Sequence, residues 1–257
     1  MGIKLKKLLR KGFDHKIFCE DYLYSFENDH LIITGVFDGC SKGIDSHFAS
    51  SLSGKILKNV IQTKITLNFD NSQDPKEINR VILFSFFNKL NMIKEILKLH
   101  SDEMLSTMIL LCYNKDTENC HIIALGDGIV CINGDLIVIN EKNQPTYPIY
   151  YSQRLYTVDA LDVFLNNHEH QWSFTGIDDV TISTDGLEQW NNLKEPEAEQ
   201  KEVKNFIIQD NLFDNLDVML QRKYNLLRMQ GWQNGDDLGI IRLMKDGVLE
   251  KTSSDKN

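Results

Sequence analysis

Four aspartates share one setting. Asp38 in VFDG, Asp127 in ALGDG and Asp185 in ISTDG each stand at the end of an apolar run with a glycine directly after, and Asp236 in NGDDLGII opens the last apolar run of the chain. Any one of them reads as an ordinary Asp-Gly turn. Four strand ends meeting at one edge of a sheet structure would be different, because crowded carboxylates repel and raise one another's pKa unless cations lie between them. Mg²⁺ or Mn²⁺ suits such a set of oxygen ligands, supplemented by a main-chain carbonyl and water. Gly39 would let the chain come close enough to offer that carbonyl. Two such ions side by side activate a water and clamp the oxygens of an in-line phosphoryl displacement, so the chemistry implied is hydrolysis of a phosphate ester.

Cys40, next to Asp38-Gly39, is a rival nucleophile. A thiolate acting on phosphate needs an arginine and a cradle of N–H groups, and CSKGIDS contains no arginine. His47, the one histidine close in sequence, falls within a helical pattern. Cys40 therefore reads as a pocket wall or structural thiol. His168 and His170 in NNHEHQW have the alternation of two ligands on a strand, but the segment reads better as a polar loop. The run EPEAEQKE (195–202) reads as the solvated start of a helix, and Trp172, Trp190 and Trp232 as core or interface aromatics.

The 257 residues, 42% hydrophobic and 25% charged, suffice for a full core. A net charge of -9 argues against a general nucleic-acid binder. The five cysteines show no CxxC or zinc spacing and follow no secretory signal, which points to reduced thiols in a cytoplasmic setting. The basic start MGIKLKKLLRKG reads as an edge strand or frayed terminus, and Lys6 stands where a myristoylation signal would need Ser or Thr. No apolar run approaches the ~18 residues of a membrane span, so no stable membrane insertion is expected.

These candidates need elements to position them. LIITGVF (31–37) has the β-branched character of a buried strand. From Asp45, a plausible N-cap, to about Thr63 the apolar spacing predicts a helix, and a second, strongly apolar one follows Pro75 to about His100. Runs at 106–114, 119–127, 128–134 and 135–140 predict an antiparallel meander whose last hairpin turns at Asn133-Gly134. Residues 141–178 read as irregular, with strands near 154–158 and 171–174. Two helices are expected between about 197 and 230, then a final strand. Nothing marks a domain break, so residues 1–245 are expected to form one domain, with a loose polar tail over 246–257.

Taken in order, CED, VFDG, STMILLCYN, IALGDGIV, VTISTDG and DDLGII resemble the motif series of the metal-dependent protein serine/threonine phosphatases of type 2C, most closely the compact bacterial branch, from about residue 12 to 243. The resemblance implies an α+β fold: a four-layer α-β-β-α sandwich of two antiparallel sheets flanked by helix pairs. It implies that Asp38 bridges two Mg²⁺ or Mn²⁺ ions, that the Gly39 carbonyl binds one and that Asp185 and Asp236 hold the other. Asp127 matches the aspartate that shares a weaker third ion with Asp185. Glu20 and Asp21 match an acidic pair that orders metal-bound water, and Lys16 falls where an arginine often grips the substrate phosphate. The partner implied is a phosphorylated protein, dephosphorylated at serine or threonine in cytoplasmic signalling.

The chain departs from that pattern at Cys40, where many members carry a histidine proposed as general acid, at Gly128 in place of a serine, and at Lys16, which keeps the charge but loses the bidentate fork. A catalytically weak or inactive phosphatase-like regulatory module, and a phosphatase of small metabolites, therefore stand beside the phosphoprotein phosphatase as alternatives.

Overall fold

A computed structural model describes residues 2–41, 43–66, 74–141 and 145–246. Two five-stranded antiparallel sheets face each other. One has the order β1 (Ile3–Arg10), β12 (Leu238–Lys245), β9 (Asp179–Ser183), β6 (Gly128–Ile132), β7 (Asp135–Ile139). The other runs β2 (Asp21–Glu27), β3 (Leu31–Asp38), β4 (Met108–Asn114), β5 (Asn119–Leu125), β8 (Gln171–Thr175). Between them a dry core interdigitates Ile32, Val36, Ile109 and Ile122 with Val130, Val180, Ile182 and Ile241. β3 and β4 are buried along both faces, which is why they read as near-continuous apolar runs rather than alternating ones.

The outer face of the β2–β8 sheet carries α1 (Ser46–Thr66) and α2 (Pro75–Leu97), and that of the β1–β7 sheet carries α5 (Gln200–Ile208) and α6 (Met219–Met229). The result is the four-layer α-β-β-α sandwich expected, with β1 as the basic edge strand. α2 opens with Pro75 in its first turn behind the Asp74 cap, which accepts from the Lys76 N–H (3.1 Å), and it closes on Lys98 in the left-handed region. The hairpin between β6 and β7 turns at Asn133 and Gly134, both at positive φ, as a two-residue turn requires.

The structure corrects two expectations. Residues 154–158 are not a strand. α3 (Pro148–Ser152) and α4 (Val158–Asn167) occupy that region, with the Thr157 hydroxyl capping α4 by accepting from the Ala160 N–H. The acidic run 195–202 mostly precedes α5, which begins only at Gln200. A short pair, β10 (Trp190–Asn192) with β11 (Trp232–Asn234), was not foreseen. Trp190 is fully buried, Trp232 nearly so, and no cysteine is paired among the described residues. The expected tail lies outside the described residues beyond Asp246.

Two buried polar groups stiffen this frame. The Arg242 guanidinium, fully buried on β12, donates to Asp179, to the Ile207 and Asp210 carbonyls at the end of α5, and to Asn211 Oδ1. Beside it the buried Lys223 ammonium donates to the Phe206 carbonyl (2.6 Å), and burial, followed by the Arg242 charge, lowers its pKa to about 8.

On the other side, His121 of β5 lies under α2. Its Nδ1 accepts from Asn79 Nδ2 (2.9 Å), and burial pushes its pKa down to about 4. A histidine held neutral in the fold but free to protonate when unfolded contributes stability that is whole above about pH 6.5 and is lost as pH falls toward 4. The loss expected is up to about 3 kcal/mol. Urea midpoints at pH 7 and pH 4.5 for the wild type and His121→Gln check it, and equal pH slopes in the two proteins would contradict it.

Candidate active site

Strand ends from both sheets meet at one end of the sandwich. Asp38 ends β3, and its register partner across the ladder is Asp21, the first residue of β2. Asp127 lies in the crossing from β5 to β6, Asp185 opens the 3₁₀ turn Asp185–Glu188 after β9, and Asp236 precedes β12. A cavity of about 280 Å³ is lined by Asp38, Asp127, Asp185 and Asp236, together with Gly39 and Cys40. The four aspartates singled out in the sequence thus share one cavity.

Close backbone approach fixes their places. A Cβ on Gly39 would sit 2.1 Å from the Ser46 carbonyl oxygen at the start of α1, and one on Gly186 1.7 Å from the Asp237 carbonyl oxygen. The glycine after Asp38 is therefore required by packing against α1, and the glycine after Asp185 by packing against the segment that carries Asp236. Asp38 is held by its own main chain. Its N–H donates to Thr107 Oγ1 (3.2 Å), and its carbonyl accepts from the Thr107 N–H (2.8 Å).

The carboxylates crowd one another at this end. Asp21 is buried and Asp38 half-buried at the cavity, and desolvation, together with the neighbouring carboxylates, raises both well above the usual range. The two carboxyls stand across the ladder from each other, and each makes ionisation of the other harder. Asp21 Oδ2 accepts from the Thr184 hydroxyl (2.7 Å), while its Oδ1 is buried without a partner among the described residues. Asp185 is pushed up to about 6 by burial and then by Asp236. Asp127 is raised too, chiefly by burial, with Oδ1 accepting from the Glu141 N–H (2.6 Å).

Two residues at this end had no local signal. His15, in the loop from β1 to β2, donates through Nε2 to Asp236 Oδ1 (2.7 Å), with Glu20 Oε1 3.4 Å and Asp237 Oδ2 3.6 Å from Nδ1. Burial opposes its charging, but Asp237, Asp236 and Glu20 outweigh that and raise its pKa. Asp237, nearly fully buried, accepts from the Gly12 N–H (2.6 Å) and the Glu20 N–H, tying the same loop to β12. The partners lie more than 200 residues apart, so neither contact shows as a motif. The second oxygen of Asp236 accepts from Gln189 Nε2 (2.8 Å).

The remaining candidates are placed as follows. Glu20 accepts from the Ser41 hydroxyl (3.0 Å) at the rim. Lys16 lies off the aspartate cavity and lines the two clefts adjoining it. Cys40 sits in the cavity wall beside the Tyr147 hydroxyl. His168 is a packed residue whose Nε2 meets the Ala124 carbonyl (2.6 Å) and whose ring lies on Phe164, while His170 beside it is close enough to Asp127 for its charge to act on that carboxyl.

The donor set fits a hard divalent cation: carboxylates around one small cavity, a buried carboxylate oxygen without a partner, and raised pKa values that a cation would relieve. Among the described residues, however, no three His, Cys, Asp or Glu side chains are drawn together into a ready-made cage; the aspartates are spread around the wall. Among the described residues, too, no helix is long and apolar enough to cross a membrane.

No protein-family model matches the sequence, and no curated protein matches it. Solved structures do match in shape. The serine/threonine phosphatase Stp1 from Staphylococcus aureus superposes with a TM-score of 0.61 at 12% identity, over 96% of each chain. The PP2C phosphatase domain of SpoIIE from Bacillus subtilis, with a fragment of its regulatory domain, gives 0.58 at 14% identity, over 95% of this chain but 64% of that one. RsbX, solved in complex with magnesium, gives 0.50 at 15% identity, over 94% of this chain and 93% of that one. Matched in shape over nearly its whole length by these structures, the chain has the fold of the bacterial PP2C-type serine/threonine phosphatases.

Proposed function

We propose that the protein is a metal-dependent phosphoprotein phosphatase acting on phosphoserine or phosphothreonine, with residues 1–245 as its single functional unit. The observation that carries this reading is the cavity lined jointly by Asp38, Asp127, Asp185 and Asp236 at the meeting end of two sheets. Asp38 with the Gly39 carbonyl, and Asp185 with Asp236, would hold Mg²⁺ or Mn²⁺, with Asp127 and Asp185 available to a third ion. Bound there, the ions supply a water activated for attack and a counter-charge for the phosphoryl oxygens.

The chain's own residues do the rest. Thr107 and the Asp21 ladder pair fix where Asp38 stands, and Asp237 anchors the loop that presents His15, Lys16 and Glu20 to the rim. His15 and Gln189 orient the Asp236 carboxylate from opposite oxygens. Lys16 supplies a cation to draw the phosphate toward the rim. Free thiols suit action in the reducing cytoplasm.

The test is hydrolysis of p-nitrophenyl phosphate and of a phosphothreonine peptide with Mn²⁺, against EDTA and against Asp185→Ala. Turnover that survives EDTA, or full activity in the variant, would sink the reading. Cys40→His is expected to leave turnover equal or higher, because it restores an imidazole beside the cavity; a complete loss would count against the placement of Cys40 as mere wall. The open spread of the aspartates favours one second reading, a weak or inactive regulatory module on the same fold. Calorimetric titration with Mn²⁺ separates the two, since the enzyme must bind the ion and the module need not.

A further inference from the structure

Next to the aspartate cavity is a cleft of about 450 Å³ of opposite character. Lys11, Lys16, Arg228, Tyr224, Gln233 and Asn234 line it, and His15 forms the wall it shares with the Asp236 side. No carboxylate lines it, in a chain with 37 acidic residues against 28 basic ones. The exposed Arg228 and Lys16 side chains make no ion pair or hydrogen bond among the described residues. Lys11 Nζ is anchored by the His15 carbonyl (2.8 Å), which sets its charge at the cleft. Arg10 adds a further cation over the Tyr224 ring at 5.5 Å.

Some surface cations elsewhere pair with carboxylates, as Lys4 with Asp246, Arg80 with Asp162, Lys115 with Glu27 and Lys204 with Glu188, whereas no carboxylate lines the cleft that Lys11, Lys16 and Arg228 share. Three cations around a cleft that no carboxylate lines, with the Gln233 amide among them and one histidine ring from Asp236, form a receptor for carboxylates that a ligand brings. The occupant must be short. A polynucleotide extending past the cleft would meet the field of a chain with net charge -9.

We propose that this cleft takes an acidic segment of the protein substrate, Asp- or Glu-rich and close in sequence to the phosphorylated side chain. The purpose assigned to the cleft rests on the phosphatase reading; the binding itself does not. Carboxylates of the segment pair with Arg228, Lys16 and Lys11, Gln233 adds a neutral donor, and the neighbouring residue is delivered past His15 to the aspartates. Long-range attraction from the same cations would speed capture at low ionic strength.

The test is fluorescence anisotropy of a labelled, unphosphorylated Asp/Glu-rich peptide titrated with the full-length protein, beside a Lys-rich peptide of equal length. The wild type should bind the acidic peptide alone, more weakly as salt rises. Arg228→Glu, which alters an exposed side chain on α6, should weaken binding by about fivefold or more, and Arg228→Lys should restore most of it. Equal affinity in Arg228→Glu, no preference for the acidic peptide, or displacement of that peptide by an RNA oligonucleotide of matching charge would each overturn the proposal. Turnover of p-nitrophenyl phosphate by the wild type reads the phosphatase proposal separately, so acidic-peptide binding without turnover would retain the cleft and reject the enzyme.

Discussion

Asp38→Asn should lower phosphatase turnover by about a thousandfold or more and, in the same protein without metal, raise the melting temperature. The two effects have one cause. Asp38 stands across the ladder from the buried Asp21 with Asp185 and Asp236 nearby, so in the absence of cations its ionised form is disfavoured first by desolvation and then by like charge. An amide keeps the shape, removes the charge and can donate a hydrogen bond to Asp21, relieving a strain worth about 1–3 kcal/mol. The same change removes a carboxylate that, on the proposed function, would hold metal, and losing several kcal/mol of metal-supplied stabilisation would correspond to about three decades of rate. Turnover with Mn²⁺ and thermal melts in EDTA check both halves. Undiminished turnover would reject the role of Asp38, and a lower metal-free melting temperature would reject the account of its burial.

The second large effect lies far from any chemistry. Arg242→Met should cost about 3–5 kcal/mol, the usual penalty for removing one partner of a buried ion pair, and lower the melting temperature by about 10 °C in a chain of this size. The guanidinium holds Asp179 and two carbonyls at the end of α5, and methionine can replace its volume but none of its donors. Lys223, relieved of a neighbouring cation, should regain proton affinity and recover only part of the loss. Urea unfolding measures it, and a change under about 1 kcal/mol would show that the network is dispensable.

Where the sequence was transparent, one local force dominated. β3 and β4 are buried on both faces, so their β-branched runs had no competing reading. α2 pairs a Pro start with a long apolar stripe, and the Asn133-Gly134 hairpin follows from what positive φ demands. The aspartates were legible because each follows or precedes such a strand. α4 was missed because its ten residues follow the β-like run RLYTV, in which Thr157 is a helix cap rather than a strand residue. β10 and β11 have three residues each and are separated by about forty residues of chain, so only tertiary pairing creates them. His15 illustrates the wider limit: its role is set by Asp236, 221 positions away, and a lone histidine in a polar loop carries no trace of that contact.

The position of β12 has a consequence for how the molecule is made. This strand, residues 238–245, lies between β1 and β9, and the aspartate that pins the loop after β1 stands just ahead of it. On the ribosome β1 must therefore wait unpaired until the chain has been made as far as β12. Its lysine-rich sequence suits that wait, since charged side chains discourage pairing with other nascent chains. Any product of interrupted translation that ends before Asp236 lacks both this closing strand and a wall of the cavity, so incomplete chains carry no assembled centre.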